Sequence, residues 1–460
     1  MQSTEARLAD YQRKFDELAR SNGLDYYPVD FQSVPTSFMT EIAVYGLPVR
    51  MAHWSFGVRY MYQLVQHQMG NSRVFEVVFP GNPGQAFLAK NNALHENALV
   101  SAHVLGHADF SKNNALFRRS QDQVGYRIVQ QAAEHSRQID AAIETHGIER
   151  VEPVLDAALA LEQHIDIHKG IDRAPYPEYA EQSLADDDTF RQRFEGLLSD
   201  EERQDESETG RQRLPLPPQP EKDLLWFIAK HAPAMEDWER DVFLAVRRES
   251  FYFYPVFACQ IMNEGWASYW HARLLREADF LPNDQYLDAA KTHSDVVRPH
   301  AGDKQIALSV NPYHLGFTLW ERIIEAHGVD HARQLMAEED DFSFIRNHLT
   351  EDLARELRLF NFDAKKEGQI KVAAFDIDTV RENILAPKFN FGAAAVLARH
   401  VGVDGSLDLE HKYESVDRGL DMGRARKVLA YIHQVWRRPV RLHTIDGKGK
   451  ETTLEYPSPE

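Results

Sequence analysis

Two pairs of residues have the types and the spacing of a metal site or a proton-transfer site. His103 and His107 lie four positions apart, so an α-helix would turn both imidazoles to one side. Glu264 and His271 lie seven positions apart, nearly two helical turns, and would also share a face. Aromatic residues surround Glu264, and a carboxylate buried among them is costly unless it is paired, protonated or bound to a metal.

The histidine pair resembles half of the zinc-protease pattern H-E-x-x-H, in which the Glu is the general base. Here Val104 stands at that position, so the usual base is missing. In metallopeptidases of the gluzincin kind a Glu on a later helix is the third ligand. In one group of them it stands in an E-G-W-A-x-Y context, which this chain repeats from Glu264. We therefore expect zinc or another divalent metal at His103, His107 and Glu264, with His271 as a fourth ligand or as a group that orients Glu264.

Simpler explanations exist for each of these residues. Two histidines on one helix could be hydrogen-bonded core residues, and Glu264 could neutralise a buried Arg. Candidates for a catalytic role are Asp109 and His271, as a base, and Tyr313, as an oxyanion-type hydrogen-bond donor. Asp109 could equally support a metal ligand or cap a surface helix, and Tyr313 could be a buried tyrosine with a local partner.

The composition excludes several classes of function. A net charge of −19 over 460 residues argues against binding nucleic acid or anionic lipid through the overall field. The single cysteine, Cys259, cannot form an intrachain disulfide, and we expect it to be an inert buried thiol. The first twenty residues read as an amphipathic helix without the apolar core of a signal peptide, and no window is apolar enough to span a membrane. These features predict a cytoplasmic protein.

The hydrophobic periodicity predicts a mainly α protein with two parts. We expect residues 1–365 to form a helical domain, interrupted at 181–222 by an acidic and Pro-rich linker or surface excursion. The likeness of its motifs to those of gluzincins implies a zincin-like domain. Within it, 74–79 reads as a strand and 86–116 as helical. Residues 366–460 form a small C-terminal α+β domain with strands near 370–377 and 406–413, a helix at 423–435, and a hairpin that begins at 440 and turns at 446–449.

These motifs carry a resemblance to a known family. The chain resembles the SpoVR family, the bacterial stage V sporulation protein R group, over essentially its whole length. The matching segments are His103–Phe110 with Lys112–Asn114, His231–Pro233 with Trp238 and Arg240–Asp241, Ile261–His271, and Asn311–Gly316.

The resemblance implies a bacterial cytoplasmic protein named for a role in forming the spore cortex, a peptidoglycan layer. Relatives also occur in non-sporulating bacteria, where the gene tends to sit beside those of a PrkA-type serine protein kinase and a von Willebrand-type domain protein. That context implies stress or stationary-phase regulation and control of cell-wall amidases. No settled catalytic activity comes with the family.

Two functional hypotheses follow. In the first, the chain is a regulatory protein that keeps the metal site of a degenerate metallopeptidase and binds partners such as the kinase or an amidase. In the second, it is an active zinc-dependent hydrolase of an amide or peptide bond in a cell-wall-related substrate. The missing base at Val104 favours the first.

Overall fold

The structure is a computed structural model of the whole chain. It describes residues 3–51, 53–68, 75–172, 174–176, 215–298, 310–359, 362–364, 370–372, 375–413 and 419–458. The chain divides into two compact units, one made of residues 1–163 and 241–393, the other of 164–240 and 394–460. The predicted boundary at 365 falls inside the first unit, and most of the predicted excursion at 181–222 (181–214) lies outside the described residues.

The first unit is mainly helical. In its first segment the elements are α1 (Thr4–Ser21), β1 (Val29–Val34), α2 (Thr36–Tyr45), α3 (Trp54–Gln68), β2 (Glu76–Phe79), β3 (Gly84–Ala89), α4 (Leu94–Asn113), α5 (Ala115–Val124), α6 (Ile128–His146) and α7 (Ile148–Ala160). Its second segment adds α10 (Asp237–Ala258) from residue 241 on, α11 (Gln260–Arg276), α12 (Asn283–Val297), α13 (Pro312–His327), α14 (Val329–Glu338), α15 (Asp341–His348), α16 (Glu351–Glu356), β4 (Phe362–Ala364), β5 (Ile370–Val372) and α17 (Ile377–Leu385).

The second unit is a small α+β body. It contains α8 (Lys169–Asp172), α9 (Leu224–His231), β6 (Val396–Val401), β7 (Leu407–His411), α18 (Met422–Trp436), β8 (Val440–Ile445) and β9 (Glu451–Tyr456). The strands form one sheet in the order β6-β7-β8-β9, with β7 and β8 parallel and the other pairs antiparallel. The predicted mainly α class, the C-terminal sheet domain and its final hairpin are therefore confirmed.

A three-stranded sheet in the first unit corrects one prediction. Residues 84–89 form the central strand β3, whereas the sequence pattern indicated a helix from residue 86. β3 pairs with β1 in parallel and with β2 in antiparallel register, where Glu76 lies opposite Leu88. Leu88 shares an apolar cluster with Val104 of α4, so the sheet packs against the helix that carries the histidine pair. Among the described residues, no helix is long and apolar enough to cross a membrane.

Three helices of the first unit, α4, α11 and α13, approach each other at glycines. A Cβ added at Gly265 of α11 would lie 2.2 Å from the carbonyl carbon of Gly316 on α13. A Cβ added at Gly106 of α4 would lie 2.6 Å from the Cα of Ala267. Neither position has room for a side chain, because the nearest atoms belong to a neighbouring backbone that cannot rotate away.

We predict that Gly265→Ala separates α11 from α13 and lowers the free energy of unfolding by about 1–3 kcal/mol, the usual cost of overpacking a core. Urea unfolding, monitored by circular dichroism, measures this change in the free energy of unfolding. Gly57→Ala in α3 is the matched control, since an added Cβ there meets nothing within 4 Å. It should stabilise the helix by about 0.5–1 kcal/mol. Equal effects of the two substitutions would contradict the close packing.

Candidate metal centre

The two histidines of α4 project from the same side of a buried helix. His103 and His107 are 4% and 9% exposed, and their ring centroids lie 4.4 Å apart. The Nε2 atom of each ring lies 3.5 Å from the same carboxylate oxygen, Oε2 of Glu264. One ligand atom from each of the three side chains lies within 4.8 Å of the other two. The structure thus brings together three residues that are separated by up to 161 positions in the sequence (264 − 103).

Helix α11 is held in place by a buried carboxylate at its N-terminus. Asp341 accepts hydrogen bonds of 2.9 Å from the backbone N–H groups of Ile261 and Met262, and Lys388 Nζ lies 3.0 Å from it. Burial raises the pKa of Asp341 to about 6. Because these contacts fix the first turn of α11, they also fix the position of Glu264, one turn further along.

The outer nitrogen of each imidazole has a partner of its own. His107 Nδ1 lies 2.9 Å from the amide oxygen Oδ1 of Asn263, which can only accept, so His107 donates from Nδ1. In the neutral imidazole, Nε2 then presents a lone pair towards Glu264. His103 Nδ1 lies 2.9 Å from His271 Nδ1. His271 therefore contacts the side of the His103 ring that faces away from Glu264. It is not one of the three residues whose ligand atoms come together.

The electrostatics of the cluster favour an ion pair between Glu264 and His107. Burial opposes the charge on Glu264, but the two imidazoles, His107 first, outweigh it and hold the pKa of Glu264 well below its usual range. Burial likewise opposes the charge on His107, and the Glu264 carboxylate raises its pKa all the same. Burial and the neighbouring His107 lower the pKa of His103. Without a metal, His103 is thus the neutral member of the pair.

Oε2 of Glu264 is buried and has no hydrogen-bond partner among the described residues. Its 3.5 Å distances to the two Nε2 atoms exceed those of ordinary N–H···O bonds. Ligands of a tetrahedral zinc ion, with bonds of about 2.0–2.2 Å, lie about 3.4 Å apart. The spacing of the three atoms and the absence of an ordinary hydrogen bond to Oε2 from the described residues therefore fit a divalent metal between them.

Helix α13 supplies Tyr313, another candidate from the sequence. Asn311 accepts a hydrogen bond from the Tyr313 N–H (3.0 Å), and Pro312 takes the first helical position, where no N–H is needed. The Tyr313 ring is stacked at 6.1 Å on His103, and its hydroxyl interacts with Glu264. The Glu264 charge and burial raise the pKa of Tyr313 well above its usual value, so the hydroxyl keeps its proton.

Asp109, the last candidate, lies away from the three ligand atoms. Its carboxylate accepts hydrogen bonds from the Trp266 indole (2.8 Å) and the Asp25 N–H (2.7 Å), and burial raises its pKa to about 6. Asp109 thus ties α4 to α11, two residues beyond Glu264.

Three residues of the site escaped the sequence analysis. Asn263 orients His107, and His293 of α12 lies with its Nδ1 2.5 Å from His271 Nε2. Glu76 of β2 is half-buried and interacts electrostatically with Glu264 and His107. Burial first, and then the Glu264 charge, raise its pKa to about 7. A lone acid in the apolar run Val74–Phe79 is a signal for Glu76, and Asn263 directly precedes Glu264 in the segment Ile261–His271, whereas His293 stands in no recognisable motif.

Comparison with known proteins covers nearly the whole chain. A family model described as "SpoVR like protein" matches residues 2–390. The "Uncharacterized protein YcgB" of Escherichia coli (strain K12) is 28% identical over 477 residues, which span 97% of this chain and 93% of that protein. No solved structure matches.

The raised pKa of Glu76 predicts a pH-dependent stability. Between the ordinary pKa of 4.5 and about 7, the folded chain binds the Glu76 proton more tightly than the unfolded chain does. Ionisation therefore costs stability as the pH rises through that window. In EDTA-treated protein we expect Glu76→Gln to unfold at the same urea concentration as the parent near pH 4.5. At pH 8 the free energy of unfolding of Glu76→Gln should exceed that of the parent by about 1–3 kcal/mol. One pKa unit corresponds to about 1.4 kcal/mol, and solvent around the half-buried side chain reduces the effect.

Glu41→Gln, at an exposed position of α2, is the control for this comparison and should show no such divergence. A Glu76→Gln variant whose stability follows that of the parent from pH 4.5 to pH 8 would contradict the raised pKa of Glu76.

Proposed function

We propose that this chain, which belongs to the SpoVR family, binds a divalent metal ion, zinc in the first place, through His103, His107 and Glu264. The observation that carries the proposal is Oε2 of Glu264, which is buried, lies 3.5 Å from both Nε2 atoms and has no hydrogen-bond partner in the part of the chain that the structure describes. Two imidazoles and one carboxylate form a donor set that suits zinc better than magnesium or calcium, which prefer oxygen ligands.

In this proposal the metal site is that of a degenerate, gluzincin-like metallopeptidase within a cytoplasmic regulatory protein. Val104, between the two histidines, is apolar and fully buried, so α4 lacks the base that the H-E-x-x-H pattern places there. The role we propose is in spore cortex and peptidoglycan formation or in the stress response. Partners of the kind that the family resemblance implies, a PrkA-type kinase, a von Willebrand-type domain protein and a cell-wall amidase, belong to the same proposal.

The residues around the three ligands would prepare such a site for binding. Asn263 keeps the Nε2 lone pair of His107 directed inwards, and the α11 anchor at Asp341 holds Glu264 in place. Tyr313 keeps a protonated hydroxyl next to Glu264, able to donate to an oxygen of a bound ligand. A bound zinc ion would supply Lewis acidity to that ligand.

One observation favours the second candidate function, hydrolysis of an amide or peptide bond. Glu76 brings a carboxylate with a pKa of about 7 to the site from β2, a different element from the one that usually provides the base. A base with that pKa is matched to neutral pH. Glu76 would take a proton from water while the water oxygen bonds to the carbonyl carbon. The C–N bond then breaks, and Glu76 returns the proton to the leaving nitrogen.

We predict that the purified parent protein holds about one zinc ion per chain when reconstituted and dialysed, as expected for a three-ligand protein site. His103→Ala and Glu264→Ala should each lose the metal, as measured by inductively coupled plasma mass spectrometry. His331→Ala, an exposed position on α14, should retain it. Parent protein that emerges without metal would refute the proposed centre.

Hydrolysis is tested with purified peptidoglycan and its stem peptides as substrates. If the parent releases new amino groups, Glu76→Gln should lower the rate about 10²–10⁴-fold, the usual contribution of a general base, without loss of zinc. Retained zinc with no turnover by the parent would leave the regulatory function and exclude hydrolysis of these substrates. Equal turnover by parent and Glu76→Gln would show that Glu76 is not the base.

A further inference from the structure

Three imidazoles form an unbroken hydrogen-bonded chain that leads away from the candidate metal centre. His103 Nδ1 lies 2.9 Å from His271 Nδ1, and His271 Nε2 lies 2.5 Å from His293 Nδ1. The chain connects three helices, α4, α11 and α12. His103 and His271 are buried, and His293 is half-buried.

The rings have little freedom to turn. Tyr313 is stacked on His103, and the ring centroids of His103 and His271 lie 5.0 Å apart. The His271 and His293 rings meet edge to face at 4.7 Å, and Phe317 packs against His293 at 5.5 Å. The nitrogen atoms of the three imidazoles are therefore fixed, and only the placement of their protons can vary.

A neutral imidazole has one N–H donor and one acceptor nitrogen, so such a chain can run in only two directions. In the first, His103 donates from Nδ1 to His271, which donates from Nε2 to His293, and Nε2 of His103 is bare. In the second, every bond is reversed and Nε2 of His103 carries a proton directed at Glu264. Only the first direction leaves a lone pair for a metal at His103.

We infer that His271 and His293 are positioning residues that hold His103 in its metal-binding tautomer through hydrogen bonds running from His103 to His293. The inference rests on the proposed metal site and extends it by two side chains. His271 thereby acts on the metal through His103, which differs from both roles expected for it, a ligand or a group that orients Glu264.

Substitutions of His271 can remove its hydrogen bond to His103 or its hydrogen bond to His293 separately. The amide oxygen of Asn lies near the position of Nδ1, so His271→Asn keeps an acceptor for His103 and loses the bond to His293. The Gln amide lies near the position of Nε2, so His271→Gln keeps contact with His293 only. His271→Ala loses both bonds.

The apparent Kd for Zn²⁺, measured by chelator competition, distinguishes these cases. We expect His271→Ala and His271→Gln to bind zinc about 10–100-fold more weakly, the usual cost of losing a residue that orients a ligand. His271→Asn should recover most of the loss, and His293→Ala should cost less than His271→Ala. In the His271→Asn background, His293→Ala should leave the apparent Kd for Zn²⁺ unchanged, because His271→Asn has already removed the hydrogen bond to His293. His331→Ala should match the parent.

A second measurement reports the direction of the chain. In protein labelled with ¹⁵N-histidine, the His293 signal is the one that His293→Ala removes. With zinc bound, we expect its proton on Nε2. A proton on Nδ1 of His293 in the zinc-bound protein would overturn the direction of the chain.

The outcomes separate this inference from the proposed function. A parent that binds no zinc would refute the metal site, and the inference with it. If His271→Ala and His293→Ala bind zinc as tightly as the parent does, the inference about His271 and His293 is overturned, while the proposed metal site stands. Equal affinities of His271→Asn and His271→Gln would do the same. If His271→Ala does not fold by circular dichroism, the Asn variant and His293→Ala still decide the result.

Discussion

Helix backbones come into close contact at Gly265 and Gly316, and at Gly106 and Ala267, and these contacts set how α4, α11 and α13 are arranged. Only glycine permits two helices to approach until a Cβ would lie 2.2 Å from a neighbouring carbonyl carbon. Gly106 lies between His103 and His107, and Gly265 directly follows Glu264. The contacts that bring the helices together are thus the ones that bring the ligand atoms together.

Buried polar side chains lock this packing in one arrangement. Asp109 joins the Trp266 indole to the Asp25 backbone, and Asp341 holds the first turn of α11. Each of these carboxylates accepts hydrogen bonds with both oxygens, which offsets the cost of its burial. Oε2 of Glu264 is the exception, since it accepts no hydrogen bond from the residues that the structure describes. Beside these two carboxylates, such an oxygen at the meeting point of two imidazoles is what one expects of a ligand.

The parts of the site that could be predicted from the sequence are those set by local geometry. The four-residue spacing of His103 and His107 determines that they share a helix face, and the apolar, aromatic surroundings of Glu264 indicate burial. Glu76 and His293 reach the site through tertiary packing, about which local spacing carries no information. The sequence pattern predicts helix from residue 86, where the strand Gly84–Ala89 lies, for a related reason. A short apolar run fits either structure, and its pairing with β1 decides between them.

The two histidines proposed as ligands differ in how firmly their protons are placed. His107 faces the Asn263 oxygen, which has no proton to donate, so its Nδ1–H is fixed whether or not the site is filled. His103 faces another imidazole, which can donate or accept. Without a cation, the Glu264 carboxylate attracts a proton to Nε2 of His103. A cation bound between them would repel that proton. Under the proposed metal site, the tautomer of His103 depends on whether a metal is bound. A change there would pass through its hydrogen bond to His271 on α11, and from His271 to His293 on α12.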